Sequence, residues 1–202
     1  INIIYHRSSI NQLIFAAGMF VLIWINFQDG VHTFHLKKQY LEGQYVFLLL
    51  GLMRVIDMGT GVNSQIIATS TYWRFEFLTG LLLLFLSLPL NYILTKRLGL
   101  IGPAIATLLA LFVYNGIRYL FLWRRFNMQP FTWKSMYTLL LASFGYIVCH
   151  FLFYKQQGFL WIFLRSTLFL LIYCIGMIYL NLSPDLLPVW ATVKKRLGMD
   201  KK

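Results

Sequence analysis

Runs of about twenty mostly apolar residues fill this chain, parted only by short polar joints, and a helix needs about that length to cross the hydrocarbon of a bilayer. The 202 residues are 59% hydrophobic, 18% aromatic and only 12% charged, too apolar for a soluble fold whose helices each turn a polar face to water. The pattern predicts an all-α membrane protein with about six transmembrane helices, at 12–27, 45–69, 75–94, 102–123, 135–153 and 159–180. Between the first two spans, 28–44 mixes His32, His35, Lys37, Lys38 and Glu42 with aromatics and reads as a joint holding an interfacial helix.

The formal net charge of +12 raises the question of nucleic acid, but Lys and Arg gather at span ends instead of forming a stripe with interleaved stacking residues, so no nucleic-acid partner is expected. Eleven of them fall on one side, among them Arg7, Arg74, Arg124, Arg125, Lys134 and the tail's Lys194, against five on the other: Lys37, Lys38, Lys96, Arg97 and Lys155. Cytoplasmic joints carry the Lys/Arg excess, so both ends of the chain are expected in the cytoplasm. Cys149 and Cys174 lie inside apolar runs, where cysteine acts as a small hydrophobe, and neither a disulfide nor a metal site is expected. No catalytic motif of a hydrolase, metalloprotease or phosphate-binding loop is found, so no enzyme activity and no cofactor are expected. The first residue is Ile, and 1–11 reads as a remnant of a cytoplasmic loop, which suggests a fragment of a longer protein.

Arg54 and Asp57 stand three apart near the middle of the second span and share a helix face; an ionised side chain at that depth costs about 2.5–3.5 kcal/mol on insertion scales. The couple is therefore expected to be shielded from lipid. It is either a polar patch in a wet cavity, meeting an anionic substrate or coupling ion, or an internal ion pair that fixes helix packing. Gly51, Gly59, Thr60 and Gly61 weaken this span, which is expected to kink or unwind there. Asn63, Ser64 and Gln65 then either present amides and free backbone groups to a cavity or mark the cytoplasmic end of the span. Asn115 and Arg118 share a face near the inner end of the fourth span, where arginine reaches headgroups by snorkelling; a place on a substrate path is the other reading. Arg165, about a turn and a half into the sixth span, is expected to reach the outer interface and is given no chemistry. His32, His35 and His150 read as interfacial or packed side chains.

The segment 90–107, LNYILTKRLGLIGPAIAT, resembles the helix-turn-helix signature N-x-x-L-I-P-x-x-G-x-x-G-A-A-x-A-T of polysaccharide flippases in the multidrug/oligosaccharidyl-lipid/polysaccharide exporter superfamily. Asn91, Leu94, Gly99, Gly102, Ala104, Ala106 and Thr107 match; the signature's proline is absent, and Pro103 stands in place of an alanine. The run 54–70, RVIDMGTGVNSQIIATS, is similar to the span that precedes the signature in the polysaccharide transporter branch. The resemblance implies the C-terminal portion of a MATE-like flippase fold: four helices of a second lobe at 12–123, a cytoplasmic loop at 124–134, two extra helices at 135–182 and a basic cytoplasmic tail at 183–202.

Members of that family have two six-helix lobes around a central cavity and carry lipid-linked (polyprenyl-diphosphate) oligosaccharide across the bacterial inner membrane by alternating access. For this chain the resemblance implies the same cargo, a missing N-terminal lobe as partner, and contact with membrane lipids. Arg54 becomes the candidate for phosphate contact, with Asp57 holding it or responding to an ion, and Asn63, Gln65, Asn115 and Arg118 as further path candidates. Three rivals stand beside this expectation. They are a drug or cation exporter of the same superfamily, a membrane assembly subunit that transports nothing, and a membrane glycosyltransferase using Asp29, His32, His35 and Glu42.

Overall fold

The structure, a computed structural model, describes residues 2–185 and Pro188. Most of the expected basic tail, including Lys194, Lys195, Arg196, Lys201 and Lys202, lies outside the described residues. Everything regular among the described residues is helical: α1 Asn2–Thr33, α2 Gln39–Glu42, α3 Gln44–Gly59, α4 Asn63–Ala68, α5 Trp73–Leu98, α6 Gly102–Phe126, α7 Trp133–Leu152 and α8 Phe159–Tyr179. Among the described residues four helical stretches are long and apolar enough to cross a membrane: Asn2–Thr33, Trp73–Phe126, Trp133–Leu152 and Phe159–Tyr179.

The first helix overruns the expected limits at both ends. Residues 2–11, read from sequence as loop, are its opening turns, because Tyr5, Ser9 and Ile10 are buried and the Ser9 hydroxyl donates to the Gly59 carbonyl at 2.5 Å. It also continues past residue 27, the expected end of the span, through Asp29 and Gly30, because the Asp29 carboxylate is paired with Arg165. Its 32 residues make a rod of about 48 Å, well beyond the roughly 30 Å hydrocarbon core.

The second expected span is broken where its glycines fall. Helix α3 stops at Gly59 and α4 restarts at Asn63. Gly61 lies between them at φ +68°, and a Cβ there would sit 3.0 Å from Ser9 Cα, so both its conformation and its clearance call for glycine. At 16 residues α3 measures about 24 Å, too short to cross alone.

The stretch 73–126 folds back on itself at Gly99–Ile101, a single turn of 3-10 helix. Gly99, at φ +60°, caps α5, and Pro103 opens α6, where a first-turn N–H has no partner to lose. Cross-pairs fix the two arms as antiparallel: the Phe75 and Phe121 rings stack at 3.9 Å, and Arg125 Nε donates to the Tyr72 hydroxyl at 2.6 Å. Asn127, in the left-handed conformation, ends α6, and a reciprocal cap between Thr132 and Ser135 starts α7.

Helix α1 is the axis of the bundle. It packs on α7 and α8 on one flank and on α3 on the other, and α3 in turn packs on α6 of the hairpin. The larger core joins Leu13, Ala17 and Val21 of α1 to Ala142 and Cys149 of α7 and Phe169 and Tyr173 of α8. Small residues set the spacing: a Cβ on Gly18 would meet the Tyr173 ring at 2.8 Å, and the Tyr173 hydroxyl donates to the Ile14 carbonyl at 2.9 Å. Outward the bundle is apolar, with Phe77, Phe85, Leu88, Phe151 and Phe163 all exposed. Both cysteines are free, Cys149 buried and Cys174 exposed.

Candidate functional site

An apolar bundle that keeps ionised side chains inside must pair them, and among the described residues two pairs have both side chains mostly buried. The larger group lies between α3, α4, α5 and α6. Glu76, in the first turn of α5, faces Arg118 in the last third of α6 across the hairpin; the side chains are 16% and 6% exposed, and Arg118 Nη2 lies 3.1 Å from Glu76 Oε1. The same Nη2 makes no hydrogen bond, so the attraction is Coulombic and not directional. Glu76 Oε1 also accepts from Ser64 Oγ at 2.5 Å and from the Tyr114 hydroxyl at 3.2 Å, while the Arg118 guanidinium lies 4.5 Å from the centre of the Tyr114 ring.

One turn before Arg118 on the same face, Asn115 donates to Asp57 Oδ1 at 3.0 Å. The other oxygen of Asp57 lies 3.6 Å from Arg54 Nη1. A polar vein thus runs from Glu76 through the α6 face to α3 and ends at Arg54 on the flank of the bundle. Its charges cancel in two pairs. Several buried atoms have no hydrogen-bond partner among the described residues: Glu76 Oε2, Asn115 Oδ1, Arg118 Nε and Asn63 Nδ2. A vein with spare donors and acceptors at this depth can take up polar groups that lipid cannot solvate.

These placements revise several expectations. Arg54 and Asp57 do pair, but no helix among the described residues covers the arginine, whose side chain is 69% exposed against 33% for Asp57. The expected shielding is therefore not supplied by the described residues. Arg118 does not snorkel; it and Asn115 are buried, because Glu76 and Asp57 give them partners inside the bundle. Asn63 is buried and accepts from the Tyr5 hydroxyl, which ties α4 to α1, whereas Gln65 is exposed and apart from the vein. Of the hairpin residues, Asn91 donates to the Ser87 carbonyl at 2.8 Å, and Thr107 to that of Pro103 at 2.7 Å. Gly102 and Ala104 are buried at the turn, and a Cβ on Gly102 would strike the Leu94 carbonyl.

The second pair lies at the opposite end of the bundle. Arg165, expected to reach the outer interface, is instead only 6% exposed; it bonds Asp29 and the carbonyls of Ile25 (2.9 Å), Gln156 (3.0 Å) and Phe153 (3.4 Å). It is a clasp that joins α1 and the α7–α8 loop to α8. Among the described residues no group of three or more His, Cys, Asp or Glu side chains could hold a metal ion.

Glu76 is the site residue that sequence reasoning missed. Its signal was present: a chain folded at Gly99 brings the first turn of α5 beside the last turns of α6, and that register sets the one acid of α5 against Arg118. No protein-family model, curated protein or solved structure matches this chain.

Proposed function

We propose that this chain is part of a membrane transporter, a flippase that moves lipid-linked oligosaccharide or polysaccharide precursors across the bacterial inner membrane for cell-surface polysaccharide synthesis. On this reading the bundle makes six crossings, with α3 and α4 together forming one broken span and α5 and α6 counted separately. Both ends face the cytoplasm, and a further lobe packs against the flank that carries Arg54.

The observation that carries the proposal is Arg54: a side chain 69% exposed on an otherwise apolar flank, paired with Asp57, whose other oxygen accepts from Asn115 one turn from the buried Arg118. An arginine at that depth is costly against acyl chains and favourable against a phosphate or a wet cavity wall, where its planar fork takes two oxygens at once. The resemblance of the hairpin sequence to the flippase signature supports the same reading. The drug or cation exporter is disfavoured, because Asp57 and Glu76 are each already engaged by an arginine.

The test is translocation of a fluorescent polyprenyl-diphosphate sugar in proteoliposomes containing the complete protein that bears this chain. Arg54→Ala is expected to abolish translocation and leave the thermal unfolding midpoint unchanged. Transport that survives Arg54→Ala would remove the phosphate role, and no transport by the parent protein would favour an assembly subunit.

A further inference from the structure

A cavity of about 360 Å³ opens at the end of the bundle where α1 meets the α7–α8 loop. Its wall combines rings with amides, among them Trp24, Tyr146, Gln28 and Gln157, together with His150 and Lys155. A hollow of that size is at the lower end of small-molecule sites and holds roughly a dozen waters' worth of volume, enough for a polar headgroup.

Charge decides what suits it. Asp29 and Arg165 form part of the wall, but they neutralise each other, and the four bonds of the Arg165 Nη atoms go to Asp29 and three carbonyls. The uncompensated formal charge is Lys155, which the chain holds at φ +65° with its ammonium 5.4 Å from the centre of the Tyr154 ring. Hydrogen-bonding capacity remains as well: Gln28 donates to Gln44 at 2.8 Å, which leaves the Gln28 carbonyl and the Gln44 amide nitrogen available. A divalent cation would meet a positive wall, and a neutral solute would leave the ammonium unanswered.

Depth decides where the ligand comes from. Helix α8, at 21 residues, is about 32 Å long and matches the hydrocarbon core. Arg165, which lines the cavity, lies about 9 Å along α8 from its first residue, so with α8 spanning the hydrocarbon from end to end the cavity falls at the boundary between hydrocarbon and headgroups. We infer that the cavity binds a phosphate ester that carries one negative charge and free hydroxyls, with Lys155 on the phosphate and the glutamine amides on the hydroxyls, as in the headgroup of a phosphatidylglycerol-type lipid. This inference does not depend on the transport reading.

The experiment measures lipid binding by native mass spectrometry of the chain in mild detergent, with phosphatidylglycerol, phosphatidylcholine and soluble sn-glycerol 1-phosphate as probes. Phosphatidylglycerol is expected to bind several-fold tighter than phosphatidylcholine. Lys155→Asn, which tolerates the left-handed backbone, is expected to weaken it about fivefold, and Gln157→Ala less. Glycerol phosphate displacing the lipid only in large excess identifies a lipid site, and displacement at matching concentration identifies a soluble phosphate ester as the source. Equal binding of the two lipids, or a preference that survives Lys155→Asn combined with Gln157→Ala, overturns the inference.

Discussion

Replacing Arg118 by Met while leaving Glu76 in place tests whether the buried vein is held by charge. At 3.1 Å the pair attracts by about 5 kcal/mol for an effective dielectric near 20. Desolvation opposes most of that, so what a mutation measures is the charge left behind. Glu76, with its side chain 16% exposed, would keep only the Ser64 and Tyr114 donors, and breaking a buried pair from one side costs about 3–5 kcal/mol. Glu76→Gln alone strands a guanidinium 6% exposed and belongs in the same range. The double variant, Glu76→Gln with Arg118→Met, removes both charges but keeps an oxygen to accept from Ser64 and Tyr114, and should recover to within about 1–2 kcal/mol of the parent. Reversible unfolding in mixed micelles, followed by helical circular dichroism, gives all four free energies and hence the coupling, expected above about 2 kcal/mol. A single-mutant cost under about 1 kcal/mol, or a double mutant no better than the singles, would refute a charge-held interior.

Other changes probe separate links. Gly61→Ala should destabilise by about 1–3 kcal/mol, through the positive φ and the Ser9 backbone 3.0 Å from the new methyl, read as a lower unfolding midpoint. Arg165→Leu strands Asp29 and frees three carbonyls, and should cost at least about 3 kcal/mol and speed amide exchange at the end of α1 and in the α7–α8 loop. Arg54→Ala should change stability by less than about 0.5 kcal/mol, since an exposed pair contributes little, and a large loss would show that the arginine packs against something within the chain.

The helices α5 to α8 were legible because each is a long apolar run bounded by proline, glycine or a polar joint, and Gly59 to Gly61 announced the break between α3 and α4. The limits of α1 were not legible. A carboxylate followed by glycine reads locally as a stop, and only the partner on α8 turns Asp29 into an interior residue. The same cause hid the burial of Arg118 and Arg165: snorkelling and pairing look alike until the opposing acid is located, and Asp29 lies 136 residues from Arg165. Arg54 failed in the other direction. Spacing put it on one face with Asp57, but which face of α3 meets α1 and α6 is set by packing, and that packing leaves the arginine on the outside.

The two ion pairs differ in when synthesis can complete them. Glu76 and Arg118 sit on adjoining arms, so their charges meet as soon as α6 follows α5 out of the ribosome, and these two side chains enter the bilayer as a neutral pair. Asp29 has no such early companion. Its carboxylate lies on α1 and its partner on α8, so a chain cut short before α8 keeps an anion in α1 without the arginine that answers it.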